Sequence, residues 1–96
     1  MAVTVLSCGL TTIDVTNRAT RVPGPNAKVV AESMRYDVGG PAANAARTAL
    51  ALGADVKLVT ALGDSTFTDL VRDTLDGIAI SDIAPEDFAL PMSSVM

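Results

Sequence analysis

Ninety-six residues allow one small domain that buries roughly 65% of the surface its unfolded chain would expose. Two Phe, one Tyr and no Trp in a chain that is 49% hydrophobic leave Val, Leu, Ile and Ala to build the core, a composition of the α/β type. A net charge of −4 with seven scattered Lys and Arg, one cysteine and no histidine argues against a nucleic-acid partner and excludes an internal disulfide, a cysteine-cluster metal site and any histidine ligand or base.

The opening "MAVTVLSCGL" has no positive leading segment and is too short to cross a bilayer, so it reads as a strand and not as a signal peptide or membrane anchor. With the lone Cys8 it points to a reducing, cytoplasmic setting. Val3 to Cys8 is β-branched and apolar up to Gly9, the pattern of a central strand buried on both faces. From Asp14 to Arg21 the pattern becomes an alternation, with Val15, Asn17, Ala19 and Arg21 on one side and Asp14, Thr16, Arg18 and Thr20 on the other. "VPGPNAK" breaks the chain, and Lys28 to Asp37 can run as a second exposed strand, pairing with the first as a flap.

"DVGGPAANAARTALALG", residues 37–53, places two glycines immediately before an alanine-rich helix predicted from Pro41 to Leu52 and stopped by Gly53. Without β-carbons at 39 and 40, a ligand or another chain segment can approach the main chain where helix-start amides are unpaired. Asn44 falls in or just after the first turn and can donate and accept. It either faces that ligand or serves a local backbone bond. Asn44, Arg47 and Thr48 form the only polar stripe, so the remaining surface predicts close packing on both sides.

Val56 to Leu62 is predicted as a further buried strand. It is followed by a helix capped by Asp64 or Ser65, with Phe67, Leu70, Val71 and Leu75 as its apolar face and Gly77 as its stop. Strand, helix, strand, helix in alternation predicts a parallel sheet with right-handed crossovers and ligands at the carboxyl ends of its strands. Asp64, Asp69, Asp73 and Asp76, spaced along that helix, read as a solvated face and not as catalytic groups. The final "ISDIAPEDFALPMSSVM" holds a short apolar piece, an acidic turn and a strand just beginning at "SSVM", which suggests the front part of something longer.

The segment "GGPAANAARTALALGADVKLVTALG", with Gly39, Gly40, Asn44, Gly53 and Gly63 at their spacing, and "CGLTTIDVT", with Gly9 five residues before Asp14, resemble the ribokinase-like (PfkB) carbohydrate kinases. The resemblance runs from Val3 to the final "LPMSSVM". It implies part of a three-layer α/β fold with a mostly parallel sheet and a β-flap lid, residues 1–96 being the N-terminal part of the sugar-kinase domain and the lid strands lying at about 14–21 and 28–37. It further implies that Asp14 accepts hydrogen bonds from two sugar hydroxyls, that the backbone at Gly39 and Gly40 lies against the sugar, and that Asn44 holds a further hydroxyl. Thr68 departs from the pattern, standing where family members often carry glycine.

In function, the resemblance implies the sugar-binding portion of an ATP-dependent carbohydrate or nucleoside kinase that forms a homodimer through its flap. ATP and Mg²⁺ are expected to serve the complete enzyme and not to bind this chain alone. The catalytic base, the nucleotide pocket and the anion hole are expected beyond Met96, so no catalytic or metal-binding residue is assigned here and the 96-residue chain alone is expected to be inactive. No G-x-x-x-x-G-K loop and no acidic Mg²⁺ cluster stands in the sequence. Two other readings compete. One is a non-catalytic polyol-binding or interaction module. The other, a dinucleotide-binding domain, is weakened by the lack of a G-x-G-x-x-G turn after the first strand.

Overall fold

Apolar residues on alternate positions make Thr4–Cys8 (β1) and Asp55–Thr60 (β4) strands with one face for a core, and Ala79–Asp82 (β5) joins them. All three run parallel in the order β1-β4-β5, with Val5 opposite Val56, Ser7 opposite Leu58 and Leu58 opposite Ile80. The computed structural model describes residues 3–18 and 33–95. Within them a second, mixed sheet has the order β3-β2-β6, formed by Thr12–Arg18 (β2), Ser33–Gly39 (β3) and Met92–Val95 (β6). β3 is antiparallel to β2 and β6 is parallel to it. The predicted flap therefore carries a third strand. The parts of the predicted lid strands between residues 19 and 32 lie outside the described residues.

Helix α1 spans Pro41–Ala51 with proline at its start, and the chain turns at Gly53 through hydrogen bonds from Gly53 N to Leu50 O (3.0 Å) and Ala54 N to Ala49 O (3.1 Å). Ala42, Ala43 and Ala46 are its buried face. Their small side chains let the helix lie close over β1 and β4, so enlarging one, as in Ala46→Leu, would overpack the contact at a cost of about 1–3 kcal/mol. Helix α2 is shorter than predicted, Thr68–Thr74. Val71 and Leu75 join Leu58, Leu62 and the α1 alanines in one core cluster, with Ile13, Val15 and Val38 of the mixed sheet closing it.

Several expectations are met only in part. Among the described residues β1 pairs with β4 alone, and β4 lies between β1 and β5. One side-chain row of that sheet, Leu6, Lys57 and Ala79, is exposed, Leu6 at 61%. Crossovers of one hand in the order β1-β4-β5 place both helices on the same face, so the described residues build part of a layered α/β fold, with helices on one face of the parallel sheet. For the same reason α1 packs on one side only, and Leu52 is exposed.

At α2, neither Asp64 nor Ser65 is the cap: the residue preceding the helix is Phe67, and Leu70 faces solvent. Thr68 explains the shortening. Its buried hydroxyl donates to Gly63 O (2.8 Å) and accepts from Ser65 N (3.1 Å), closing a turn that delays the helix. Asp64 and Asp76 thus lie outside α2, while all four aspartates from 64 to 76 are exposed, as a solvated face requires. Among the described residues no helix is long and apolar enough to cross a membrane.

Candidate functional site

The alternation of β2 sends Ile13 and Val15 into the core and turns Thr12, Asp14 and Thr16 to the other face. Pairing with β3 sets Thr12 opposite Gly39 and Asp14 opposite Asp37. Asp14 is half-buried there, and its carboxylate leans on the glycine: a β-carbon at position 39 would collide with Asp14 Oδ2. At Gly40, where φ is +97°, a β-carbon would collide with the carbonyl oxygen of Leu10. That approach lets Ala42 N, at the helix start, donate to Leu10 O at 3.3 Å. The segments that come close to the Gly-Gly turn are thus the chain's own, and they bring Asp14, the β1–β2 connection and the first turn of α1 to one place.

Asn44 stands on that first turn, exposed. Its N–H donates to Gly40 O (2.9 Å) and its carbonyl accepts the Thr48 hydroxyl (3.0 Å), so its backbone closes the turn while its carboxamide stays at the surface. Arg47, a second member of the polar stripe, donates from Nη1 to Val38 O at 3.1 Å and ties the end of β3 to α1. Asp14, Gly39 and Gly40 therefore meet at the junction of β2, β3 and α1, and Asn44 is tied to it through its backbone bond to Gly40.

Thr12, which the sequence reading did not single out, stands beside Asp14 at this junction. Its hydroxyl donates to Asp14 Oδ1 at 3.1 Å and orients the carboxylate. The period-two alternation of β2 could have found it, since residues two apart share a face. Deeper in, a buried pair fixes the approach to β2. Thr60 Oγ1 donates to Gly9 O (2.7 Å) and lies 2.9 Å from Thr11 Oγ1. A hydroxyl has one proton, so Thr11 is the donor within that pair.

A separate cleft of about 560 Å³ lies past the carboxyl ends of β4 and β5, lined by Gly63, Asp64, Asp82 and residues 84–88. It contains none of Asp14, Gly39, Gly40 or Asn44. Asp82 accepts N–H bonds from Leu62 (2.9 Å), Gly63 (3.1 Å) and Ala84 (2.9 Å). The Leu62 amide foremost holds this carboxyl below its ordinary value; partial burial opposes the shift, and the Ala84 and Gly63 amides and the Arg72 charge add to it. Asp82 is thereby spent on holding the loops after β4 and β5. Among the described residues no group of three or more acidic, cysteine or histidine side chains is arranged to hold a metal ion.

The fold recurs in solved structures. A carbohydrate kinase from Agrobacterium tumefaciens superposes with a TM-score of 0.85 at 22% identity over 98% of this chain and 31% of its own. A ribokinase from Cryptococcus neoformans, solved with ADP, gives 0.76 at 21% identity over 97% of this chain and 29% of its own. A ribokinase from Arabidopsis thaliana, solved with ribose and ATP, gives 0.66 at 21% identity over 86% and 30%. The chain thus spans under a third of the length of each. A search of curated proteins returned no match. The profile of the pfkB family carbohydrate kinases matches residues 3–82, a stretch that takes in β1, the whole Gly39–Gly40 junction and α2. This chain belongs to the pfkB family of carbohydrate kinases.

Proposed function

We propose that the chain is the acceptor-binding part of a longer ATP-dependent carbohydrate or nucleoside kinase, in which Asp14, Gly39, Gly40 and Asn44 hold the sugar. The observation that carries this reading is the Asp14 carboxylate, oriented by Thr12 and pressed against Gly39 at the start of α1. An ionised carboxylate is an acceptor only, with room for two hydroxyl donors, while the Asn44 amide can donate and accept. A carboxylate and an amide beside bare glycine backbone suit a neutral, hydroxyl-rich ligand and would fix which hydroxyl faces the phosphoryl donor. ATP supplies the phosphoryl group when bound. On this reading Mg²⁺, the base and the phosphate-binding amides are supplied by residues of the longer kinase outside this stretch, and the 96 residues alone are expected to transfer no phosphate. The setting is cytoplasmic and the assembly a homodimer through the mixed sheet, in which β3 is an edge among the described residues.

A second reading, a polyol-binding or interaction module without chemistry, draws on the exposed row Leu6, Lys57 and Ala79, which offers a sheet face to another chain. One experiment separates the two. In a coupled assay of the full-length protein against ribose, fructose, glucose and nucleosides, the kinase reading expects acceptor-dependent ADP release. Charge-assisted bonds of about 1.5–3 kcal/mol each make Asp14→Ala lower kcat/KM for the sugar at least about a hundredfold while KM for ATP barely moves. No turnover with any acceptor would favour the module.

A further inference from the structure

We propose that Asp37 is a specificity-determining residue of the acceptor site: its carboxylate takes a hydroxyl of the same polyol that Asp14 holds, so that the site selects an uncharged sugar and rejects its phosphate esters. This rests on the acceptor-site reading and adds the substrate's charge to it. Asp37 is the direct cross-strand partner of Asp14, and alternation along β3 puts it on the face that carries Gly39, Asp14 and Thr12. Side chains directly opposed on an antiparallel pair have β-carbons about 4.5–5.5 Å apart, and like charges in that relation destabilise the pairing. Two carboxylates therefore stand side by side at the junction, against the preference of the sheet.

Arg35, two residues earlier on β3 and opposite Thr16, donates from Nε to Asp37 Oδ2 at 2.9 Å. The two side chains are 77% and 44% exposed, and an ion pair this open contributes little to stability. It offsets part of the repulsion and aims the carboxylate, leaving Oδ1 for a ligand hydroxyl. Two carboxylates against one guanidinium leave the inner part of this face negative. Among the described residues the other cation on this face is Arg18, opposite Ser33, about 13 Å along the strand from Asp37. An anionic ester seated on Asp14 would meet Asp37, its direct cross-strand neighbour, before either arginine.

The test uses the full-length protein. The best neutral acceptor among D-ribose, D-fructose, D-glucose and adenosine is compared with its monophosphate esters at hydroxyls other than the reacting one. Wild type is expected to prefer the neutral compound. Replacing a charged acceptor by a neutral one makes Asp37→Asn lower kcat/KM for that compound about tenfold without lowering it for the esters, so the preference ratio collapses. Arg35→Gln, which keeps the Asp37 charge, is expected to preserve or raise the preference for the neutral compound. A wild-type preference for an ester, or an Asp37→Asn variant that scales both substrates equally, as a merely structural defect would, overturns the assignment. Asp14→Asn serves as the control for the site itself: if it leaves both substrates untouched, the acceptor-site reading fails and this inference with it.

Discussion

Gly39 has no room for a side chain because the carboxylate of Asp14 occupies that volume. The contact works in both directions, since a methyl group at 39 must push Asp14 aside. Gly39→Ala is therefore expected to raise KM for the sugar by about a hundredfold, the scale on which a displacement near 1 Å acts at a reacting centre, with KM for ATP little changed. Steady-state kinetics check it, and an unaltered sugar KM would mean that Asp14 does not set the acceptor's position. Asp82 allows a prediction of another kind. Its folded pKa is depressed, so its contribution is present above the unfolded value of 3.8 and disappears as pH falls through the lower folded value. Asp82→Asn should lower the denaturation midpoint at neutral pH, and the gap to wild type should close in acid below about pH 4. A gap that persists at pH 2 would rule out the charged form as its source.

Among the elements, α1 and its Gly-Gly approach were legible because their signals are local: proline at the first helical position, alanines every three to four residues and glycine at the stop. The β6 pairing was only half legible. "SSVM" reads as a strand, but nothing near it says that Met92 pairs with Ile13, because cross-strand partners are chosen by the whole fold. The apolar run of β1 signals burial, but that β4 pairs between it and β5 depends on the whole fold and not on the run itself. At α2 the hydrophobic spacing concealed Thr68, whose hydroxyl competes for the backbone and moves the helix start. The ring contact between Tyr36 of β3 and Phe67, with centroids 5.3 Å apart, likewise joins segments distant in sequence and was not foreseeable from either. The Thr60–Gly9–Thr11 chain is a similar junction, and it holds β4 to the connection that delivers Asp14. Thr60→Val would strand a buried hydroxyl and a carbonyl, and is expected to cost about 1–3 kcal/mol in urea denaturation of the full-length protein, with Thr60→Ser recovering most of it. A Thr60→Val variant as stable as wild type would show that the buried pair is dispensable.

At the scale of the whole molecule, the outer row of the parallel sheet, Leu6, Lys57 and Ala79, is exposed among the described residues, and the chain spans 31% of the Agrobacterium kinase it superposes on. Exposed large apolar side chains such as Leu6, open at 61%, favour association. The isolated 96 residues are expected to self-associate in light scattering and to release no sugar-dependent ADP in a coupled assay. Loss of the base and of the charge-stabilising amides each removes at least about a hundredfold. ADP release that is abolished by Asp14→Ala would place the chemistry within these residues after all. The most direct test of the acceptor site avoids turnover altogether: calorimetric titration of the full-length protein, without nucleotide, with the best acceptor sugar. Wild type is expected to bind it, and Asp14→Ala to bind it at least about a hundredfold more weakly while its ATP titration is unchanged. Equal sugar affinity in the two proteins would contradict the assignment of the junction between β2, β3 and α1 as the place where the sugar sits.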